Sequence, residues 1–402
     1  MRKNKIAWAG ALALIGIITT EFGIIGILDD LAKYYHISID TAGYLLSGFA
    51  MIVALAGPIV TLYTGKFNRK VLMILGLLLF LTTAVVSFFS PPFWVLLLVR
   101  FLPAFLHPTL ISIAVYAATS NAAPKYQHQM MSIVIGGIAI ATVTTIPLTT
   151  YISGLVNSWQ ASFVLQAIVT ITALLGIIFI YPSMPAKESK SIGNQLKIFK
   201  NPVFIWSSFT FFFMNASMFA TYGYFANYMK EALNYDTETT GILLFIFGIT
   251  GVIGNFLTGK LLSKNVTNTT AFFLIGLLLI SFLLVFLPYQ HSLVLVYTTI
   301  VLWGFFHTPG FVNGQAYMIE AAPESQEFAN SLSISFGNLG ISIGTYISGL
   351  VITLNGVNTS PWVMLGFGMG AVFCMIFREK TRNNTGLKRV NNYSDLKSTI
   401  SF

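Results

Sequence analysis

The sequence predicts an all-α membrane protein with twelve transmembrane helices, arranged as two parallel repeats of six. Its 402 residues are 55% hydrophobic and only 9% charged, whereas soluble domains carry roughly 25% charged residues. Apolar stretches of about 20 residues, the length that crosses a bilayer as a helix, occur along the whole chain. Segments of the first half also recur in the second half in the same order. These observations exclude a soluble enzyme with a single membrane anchor.

The apolar stretches can be delimited one by one, and most of the segments that join them are short. Consecutive helices are therefore expected to be antiparallel neighbours. The predicted spans are residues 6–28, 42–63, 71–87, 93–114, 131–155, 163–181, 203–226, 239–257, 271–287, 293–317, 329–351 and 361–377.

One longer polar connection divides the chain. Residues 182–202 contain four lysines and are predicted to link an N-terminal bundle (1–181) to a C-terminal bundle (203–377), which is followed by a tail (378–402). The basic start and the first apolar stretch imitate a signal peptide. That stretch is longer than a signal h-region and contains Glu21, so we interpret it as the first span.

The Lys and Arg residues indicate the orientation. If the amino terminus is cytoplasmic, all but three of the 22 cations fall in cytoplasmic segments. The exceptions are Lys33 and Lys230 in outer loops and Arg100 within a span. This distribution follows the positive-inside rule and predicts a multi-pass protein of the cell membrane with both termini in the cytoplasm. It also accounts for the net charge of +9 without a nucleic-acid partner.

The two halves repeat. Residues 150–156 (TYISGLV) recur letter for letter as residues 345–351, and Thr64-Gly65-Lys66 recurs as Thr258-Gly259-Lys260. The segment that begins at Thr41 (TAGYLL) also recurs, with two changes, from Thr239 (TTGILL). Several matches at nearly one offset, in the same order, are not expected by chance. Because each repeat has an even number of spans, both repeats enter the membrane in the same direction, related by an axis along the membrane normal.

Two ionised side chains are predicted inside spans. Glu21 lies seven residues before the end of the first span, and Arg100 lies seven residues after the start of the fourth. Both are therefore roughly 10 Å below the outer surface. Charges within hydrocarbon are costly and usually functional. We predict that Glu21 and Arg100 form an ion pair or a water-mediated link that couples transport to protons. A static structural pair is the alternative.

A basic loop, Lys66-Phe-Asn-Arg69-Lys70, follows the second span. It resembles the cytoplasmic-loop signature of the major facilitator superfamily, and a related stretch occupies the same loop of the second repeat. The resemblance implies the major facilitator fold and a gating role for Lys66, Arg69 and Lys70. The acid of the signature is replaced by Gly65, which puts the latch formed by that acid in doubt here. An ordinary basic loop is the alternative.

The fourth and fifth spans resemble the drug/proton antiporters of this superfamily. Arg100 matches their helix-four arginine, and the fifth span carries a proline among small residues in part of their helix-five pattern. Two of these positions recur as glycines 195 residues later. Small residues let helices approach closely, so we expect an interface at which the halves rock. The predicted interface residues are Gly137, Thr145, Pro147, Thr149, Gly340 and Gly344.

Two histidines lie fourteen residues into the fourth and tenth spans, His107 and His307. Nearby prolines (Pro103, Pro108 and Pro309) predict local helix breaks of the kind that transporters use around a midplane site. These histidines could titrate near neutral pH or hydrogen-bond across a helix interface. With tyrosine and amide side chains, they form the predicted set of substrate-cavity residues: His107, His307, Asn215, Tyr222, Asn313, Gln315 and Asn338.

The first span adds a finer resemblance. Thr20-Glu21-Phe22, followed by a Gly- and Leu-rich stretch, is similar to the sugar (arabinose-like) efflux branch of the antiporters. Members of that branch export sugars, nucleosides or drugs in exchange for protons. By resemblance, we expect a secondary transporter that exports a small organic solute by alternating access. The partners are then the solute, protons and the lipid bilayer, and we expect a monomer.

Other functions remain as alternatives. A nutrient uniporter or proton symporter has the same fold, and a transport-incompetent sensor or a membrane enzyme belongs to another class. The sequence contains no zincin helix, nucleophile elbow or P-loop, so we expect neither an enzyme nor an ATP-driven pump. We expect no cofactor, and the single cysteine, Cys374, excludes a multi-cysteine metal site.

Overall fold

A computed structural model describes residues 2–64, 66–123, 126–185, 195–290, 292–323 and 326–385. Within these ranges the regular structure is helical. The central part of the predicted linker and most of the predicted tail lie outside the described residues. The same holds for the predicted cytoplasmic cations Lys125, Lys187, Lys190, Lys388, Arg389 and Lys397.

The α-helices are numbered in chain order. They are α1 Arg2–Phe22, α2 Leu28–Tyr35, α3 Ile39–Thr64, α4 Arg69–Phe88, α5 Phe93–Ala104, α6 His107–Ser120, α7 Gln127–Val143, α8 Thr145–Leu155, α9 Gln160–Ile180, α10 Pro202–Tyr222, α11 Phe225–Asn227, α12 Thr237–Leu262, α13 Val266–Phe286, α14 Leu293–His307, α15 Gly310–Glu320, α16 Gln326–Asn355 and α17 Ser360–Thr385. Shorter 3₁₀ turns and one π-helical turn, Tyr228–Ala232, join them.

Twelve segments of the described chain are long and apolar enough to cross a membrane, which confirms the predicted all-α architecture with twelve spans. Spans 1 to 12 are Asn4–Phe22, Ile39–Gly57, Arg69–Phe88, Phe93–Ser120, Gln129–Leu155, Gln160–Ile180, Pro202–Tyr222, Thr237–Leu262, Val266–Tyr289, Leu293–Glu320, Phe328–Asn355 and Val357–Asn384.

Helix breaks occur near Pro108, Pro147 and Pro309, whereas Pro103 lies inside α5, which ends one residue later. In span 4, α5 ends at Ala104, four residues before Pro108, and in span 5, α7 ends at Val143, four residues before Pro147. Proline lacks the N–H that would bond to the carbonyl four residues earlier, and its ring clashes with that carbonyl. Span 10 breaks at Pro309, between α14 and α15. The breaks predicted in spans 4 and 10 are confirmed.

The chain forms two compact units. The first contains the described residues of 1–189 together with 225–248. Within it, α1 packs against α6, α7 and α9, and α4 packs against α9. Because α1 is rich in alanine and glycine, neighbouring helices approach it closely. From Ala9 to Glu21 its residues are buried, apart from the half-buried Leu12.

The second unit contains the described residues of 190–224 and 249–402. Here α10 is the central helix, and it packs mainly against α16 and α17. Asn201 caps α10, because its side-chain oxygen accepts hydrogen bonds from the N–H groups of Val203 and Phe204. Asn265 caps α13 in the same manner. Such caps satisfy N–H groups that lack partners within the helix.

Candidate functional site

The carboxylate of Glu21 lies at the end of α1, in contact with His107. The helix ends at Phe22, and residues 23–27 form turns before α2 begins. The break in span 4 places His107 at the start of α6. Oε2 of Glu21 lies 3.0 Å from Nε2 of His107, and both side chains are only 4% exposed. The carboxylate and the imidazole are therefore in close contact, although neither ring nitrogen of His107 makes a hydrogen bond within the described chain.

The guanidinium of Arg100 holds two helices through their backbones. Its Nε donates a 2.8 Å hydrogen bond to the carbonyl of Leu45 on α3, and its Nη2 donates a 2.7 Å bond to the carbonyl of Glu21 on α1. The Phe49 ring centroid lies 5.6 Å from its Cζ. Arg100 is 1% exposed, so these contacts are made away from water.

The predicted link between Glu21 and Arg100 therefore has a different form. The two residues meet, as their depth predicts, but through the backbone carbonyl of Glu21, while its carboxylate contacts His107. Sequence depth determines the height of a side chain in the membrane and not the direction in which it points.

Hydroxyl groups surround the end of α1. The hydroxyls of Thr19 and Thr145 are in contact, and a Cβ added to Gly23 would lie 3.4 Å from both Thr149 Oγ1 and Gln166 Nε2. Gln166 Oε1 is buried and has no hydrogen-bond partner among the described residues. The predicted interface threonines thus lie between α8 and α1, beside Glu21.

In the second unit, His307 lies within a group of buried aromatic rings. Its ring centroid is 4.6 Å from that of Tyr222, 5.7 Å from that of Phe219 and 6.4 Å from that of Trp303. All four side chains are buried. The structure therefore brings His307 and Tyr222, two of the predicted cavity residues, into contact on α14 and α10.

The predicted amides differ in how they are bonded. Asn215 and Asn338 each donate to a carbonyl four residues back in their own helix, at 2.9 and 3.0 Å. Their Oδ1 atoms are buried without a partner in the described part of the chain, as are both amide atoms of Asn313. Gln315 instead donates a 2.6 Å bond to Asn330. Buried amide atoms without partners can bind water or a polar solute.

The comparisons with known proteins agree with this architecture. The family model described as Major Facilitator Superfamily matches residues 10–327, and a further match covers residues 273–398. The chain belongs to the Major Facilitator Superfamily. It is accordingly a secondary transporter and not an enzyme.

Among its relatives is a "Probable sugar efflux transporter" of Helicobacter pylori (strain ATCC 700392 / 26695). That protein is 27% identical over 360 residues, which cover 89% of this chain and 91% of the relative. The "Uncharacterized MFS-type transporter YfhI" of Bacillus subtilis (strain 168) is 26% identical over 347 residues, which cover 86% of each.

Two solved structures share the superfamily fold. A point mutant of the nucleoside transporter NupG superposes with a TM-score of 0.72 at 15% identity, covering 95% of this chain and all of that one. A bacterial homolog of the human lysosomal transporter Spinster, inward-facing and unoccupied, gives 0.74 at 14% identity, covering 95% and 97%. At these identities the likeness concerns the fold alone.

The basic loop of the superfamily signature lies against the end of span 6. Lys70 Nζ donates to the carbonyls of Ile178 and Tyr181 at 2.8 and 2.7 Å, and so caps the C-terminus of α9 with a positive charge. Arg69 stacks over Tyr116, with its Cζ 3.9 Å from the ring centroid. Lys66 is exposed, and Gly65, at the position of the signature acid, lies outside the described residues.

The predicted interface glycines make close contacts within each repeat. A Cβ added to Gly137 would lie 2.4 Å from the carbonyl oxygen of Ala11 on α1. Added to Gly340 or Gly344, it would lie 2.3 Å from a carbonyl oxygen of α10. These glycines therefore join span 5 to span 1 and span 11 to span 7. These helix pairings follow from the tertiary packing, because a small residue in a sequence does not reveal which helix approaches it.

Other glycines, which the sequence reasoning did not single out, bring span 5 against span 8. A Cβ on Gly154 would lie 2.5 Å from the backbone N of Glu238, and one on Gly241 would lie 2.7 Å from the backbone N of Tyr151. One on Gly248 would lie 2.8 Å from the carbonyl oxygen of Thr142. Gly154 belongs to the repeated segment 150–156, which was the available signal.

Replacing Gly137 by Ala should destabilise the protein. The new methyl group would clash with the α1 backbone, which cannot rotate away as a side chain can, so we expect a cost of about 1–3 kcal/mol. The check is the Tm of the purified protein in detergent. Gly136→Ala is a matched control, because a Cβ there meets nothing within 4 Å. Equal Tm values for the two variants would contradict the packing argument.

A buried charge network, which the sequence analysis placed in the cytoplasmic tail, closes one end of the second unit. Arg378 Nη2 lies 2.6 Å from Glu320 Oε2, and its Nη1 lies 2.7 Å from Glu379 Oε1. Arg382 contacts both of these acids. The network lies in the last part of α15 and in α17, which extend three and eight residues beyond the predicted span ends at 317 and 377. Mutual neutralisation allows these charges to remain on packed helices.

Proposed function

We propose that this protein exports a small organic solute, such as a sugar, nucleoside or drug-like compound, across the cytoplasmic membrane in exchange for protons. The observation that carries the proposal is the Glu21 carboxylate, buried inside span 1 and 3.0 Å from His107. Ionisable side chains within transmembrane segments are costly, so where they occur they usually mark a functional site. The proposed direction, export, is supported by the relatives named probable sugar efflux transporters.

The proposed mechanism is alternating access. Glu21 and His107 take up a proton from the outside, and Arg100 positions Glu21 by holding the backbone of α1. Protonation removes the negative charge of the carboxylate and weakens its contact with the imidazole, which favours opening to the inside. Solute and proton therefore favour different states. A ligand shifts such an equilibrium only by its difference in affinity for the two states.

The second half is proposed to supply more of the solute contact. His307 and Tyr222 pack together, and Asn313 and the Oδ1 atoms of Asn215 and Asn338 are buried without partners in the described chain. Aromatic faces combined with a few polar groups suit a partly apolar organic solute. In this proposal, the first half carries the proton chemistry.

Proteoliposomes with an imposed pH gradient test the coupling. A panel of pentoses, hexoses, nucleosides and cationic dyes is first screened for thermal stabilisation of the purified protein, and a radiolabelled form of the best compound is used. We expect accumulation above equilibrium when the lumen is acidic, because protons leave as solute enters. A protonophore should abolish it.

Other outcomes would overturn the proposal. Uptake that only equilibrates, whatever the gradient, would indicate a uniporter. Accumulation driven by an acidic exterior would indicate a proton symporter. Empty liposomes, and liposomes with heat-denatured protein, give the background in each case.

A further inference from the structure

Five charged or polar residues join the segment after span 1 to the segment after span 7. We call them the outer clasp: Asp29, Asp30, Lys33, Asn227 and Lys230. Lys230 Nζ lies 2.6 Å from Asp30 Oδ1 and 3.6 Å from Asp29 Oδ2. Asn227 donates a 3.3 Å bond to Asp29 Oδ1, and Lys33 lies 2.9 Å from Asp29 Oδ2. All five belong to the first unit.

The clasp is shielded from water at its centre. The side chains of Asp29 and Lys230 are 3% and 10% exposed. Exposed ion pairs contribute roughly 0–1 kcal/mol to stability. The contact of Lys33 with Glu231 is of this kind, because the two groups are 3.7 Å apart and both side chains are about half exposed. Removing Lys230 would instead leave the buried Asp29 without one of its partners, which is more costly.

The clasp also joins equivalent positions of the two repeats. Asp29 and Asn227 are 198 residues apart, the same offset that relates the matched residues Thr41 and Thr239. Equivalent residues of two repeats can touch only near the axis that relates them. Lys230 lies in the π-helical turn Tyr228–Ala232, a form that is rare and frequent at functional sites.

A polar cavity of about 510 Å³ adjoins the clasp. Asp29, Asp30, Lys33 and Lys230 line it, together with the start of α12. At that start, hydrogen bonds from Thr239 hold the pKa of Asp236 below its ordinary value. The clasp therefore borders a polar, charged space, which can receive its charged side chains when the two segments move apart.

We propose that the outer clasp is a latch for the outer side of the transporter: it holds α2 against the π-helical turn while the outer side is closed, and it breaks each time that side opens. The contacts that carry this proposal are those of Lys230 with Asp29 and Asp30. Any rearrangement that moves the end of span 7 away from the end of span 1 must separate them. The inference rests on the alternating-access part of the proposed function.

Distances between spin labels test the latch without substrate or a pH gradient. In a Cys374→Ala background, labels at Ser38→Cys and Gln290→Cys report on two connections of the predicted outer side, in full-length protein in nanodiscs. We expect Lys230→Met to increase the ratio of the long-distance to the short-distance population about tenfold. The charge-swapped variant Asp29→Asn/Asp30→Lys/Lys230→Asp, in which the amide avoids a like-charge contact with the new carboxylate, should recover at least half of that shift, whereas Lys230→Asp alone should not.

Lys264→Met is the matched control, because Lys264 is exposed and lies in a predicted cytoplasmic loop. An unchanged distribution in Lys230→Met, an equal shift in the control, or a swap no better than Lys230→Asp alone would each overturn the latch. The transport test is independent of this one. If the variant shows the expected shift in distances but the wild-type protein shows no gradient-driven accumulation, the latch proposal stands and the antiport proposal fails.

Discussion

Replacing Glu21 by Gln should abolish solute accumulation driven by a pH gradient and leave solute exchange without a gradient intact. Glutamine keeps the size and shape of the side chain but cannot take up or release a proton. Arg100 would still hold α1, because it bonds the backbone carbonyl of residue 21. Coupling between two ligands is typically worth roughly 5–150-fold in affinity, and the effect of pH on solute affinity should shrink by a factor in that range.

The measurements are gradient-driven uptake, counterflow of labelled against unlabelled solute, and solute binding as a function of pH. Proton binding and solute binding change each other's affinity by the same factor. Because the variant lacks the proton-binding carboxylate, solute binding should depend less on pH in the variant. Glu238→Gln, at the start of α12 and outside the buried pair, is the control. Full gradient-driven accumulation in Glu21→Gln would contradict the proposed role of Glu21 in proton coupling. Loss of counterflow together with a lowered Tm would point to misfolding.

Replacing Arg378 by Met should cause the largest loss of stability among the changes considered. All five N–H groups of the guanidinium have acceptors: two acids, the hydroxyls of Ser207 and Thr267, and the carbonyl of Tyr317. The cation also stacks on the Tyr317 ring, 3.8 Å from its centroid. Without it, the Glu320 carboxylate, whose side chain is 8% exposed, loses its main partner, at a cost of about 3–5 kcal/mol.

The expected result is a fall in Tm of roughly 5 °C, measured on the purified protein. Lys380→Met is the matched control, since Lys380 lies on the same helix, two residues away, and is exposed. Arg378→Met/Glu320→Gln should be more stable than the single variant, because one unpaired charge is gone and neighbouring effects are not additive. A Tm equal to that of the control would show that the network contributes nothing to stability.

The sequence allowed much of the fold to be predicted. Span number follows from the lengths of the apolar stretches, because a bilayer of fixed thickness requires helices of about 20 residues. The break in span 4 follows from Pro108, since the lost hydrogen bond is local. The depths of Glu21 and Arg100 follow from counting residues along a helix of constant rise.

The candidate site was less predictable. The sequence predicted that Glu21 and Arg100 lie at the same height in the membrane. It did not predict that the Glu21 carboxylate contacts His107 or that the Arg100 guanidinium binds backbone carbonyls. Likewise, positive-inside counting placed Arg378 in the tail, although it is 1% exposed and paired. Counting charges cannot distinguish a solvated cation from one that is neutralised by acids on neighbouring helices.

By itself, the sequence determined what is periodic or local in this protein: twelve apolar helices, their repeat, their proline breaks and the heights of their charges. Only the tertiary structure decided which side chains meet. It placed His107 against Glu21, Arg378 against Glu320, and Asp29 beside Asn227, 198 residues away. The physical reason is that partners across helices depend on the rotation and close approach of each helix, which the packing of all neighbours determines together.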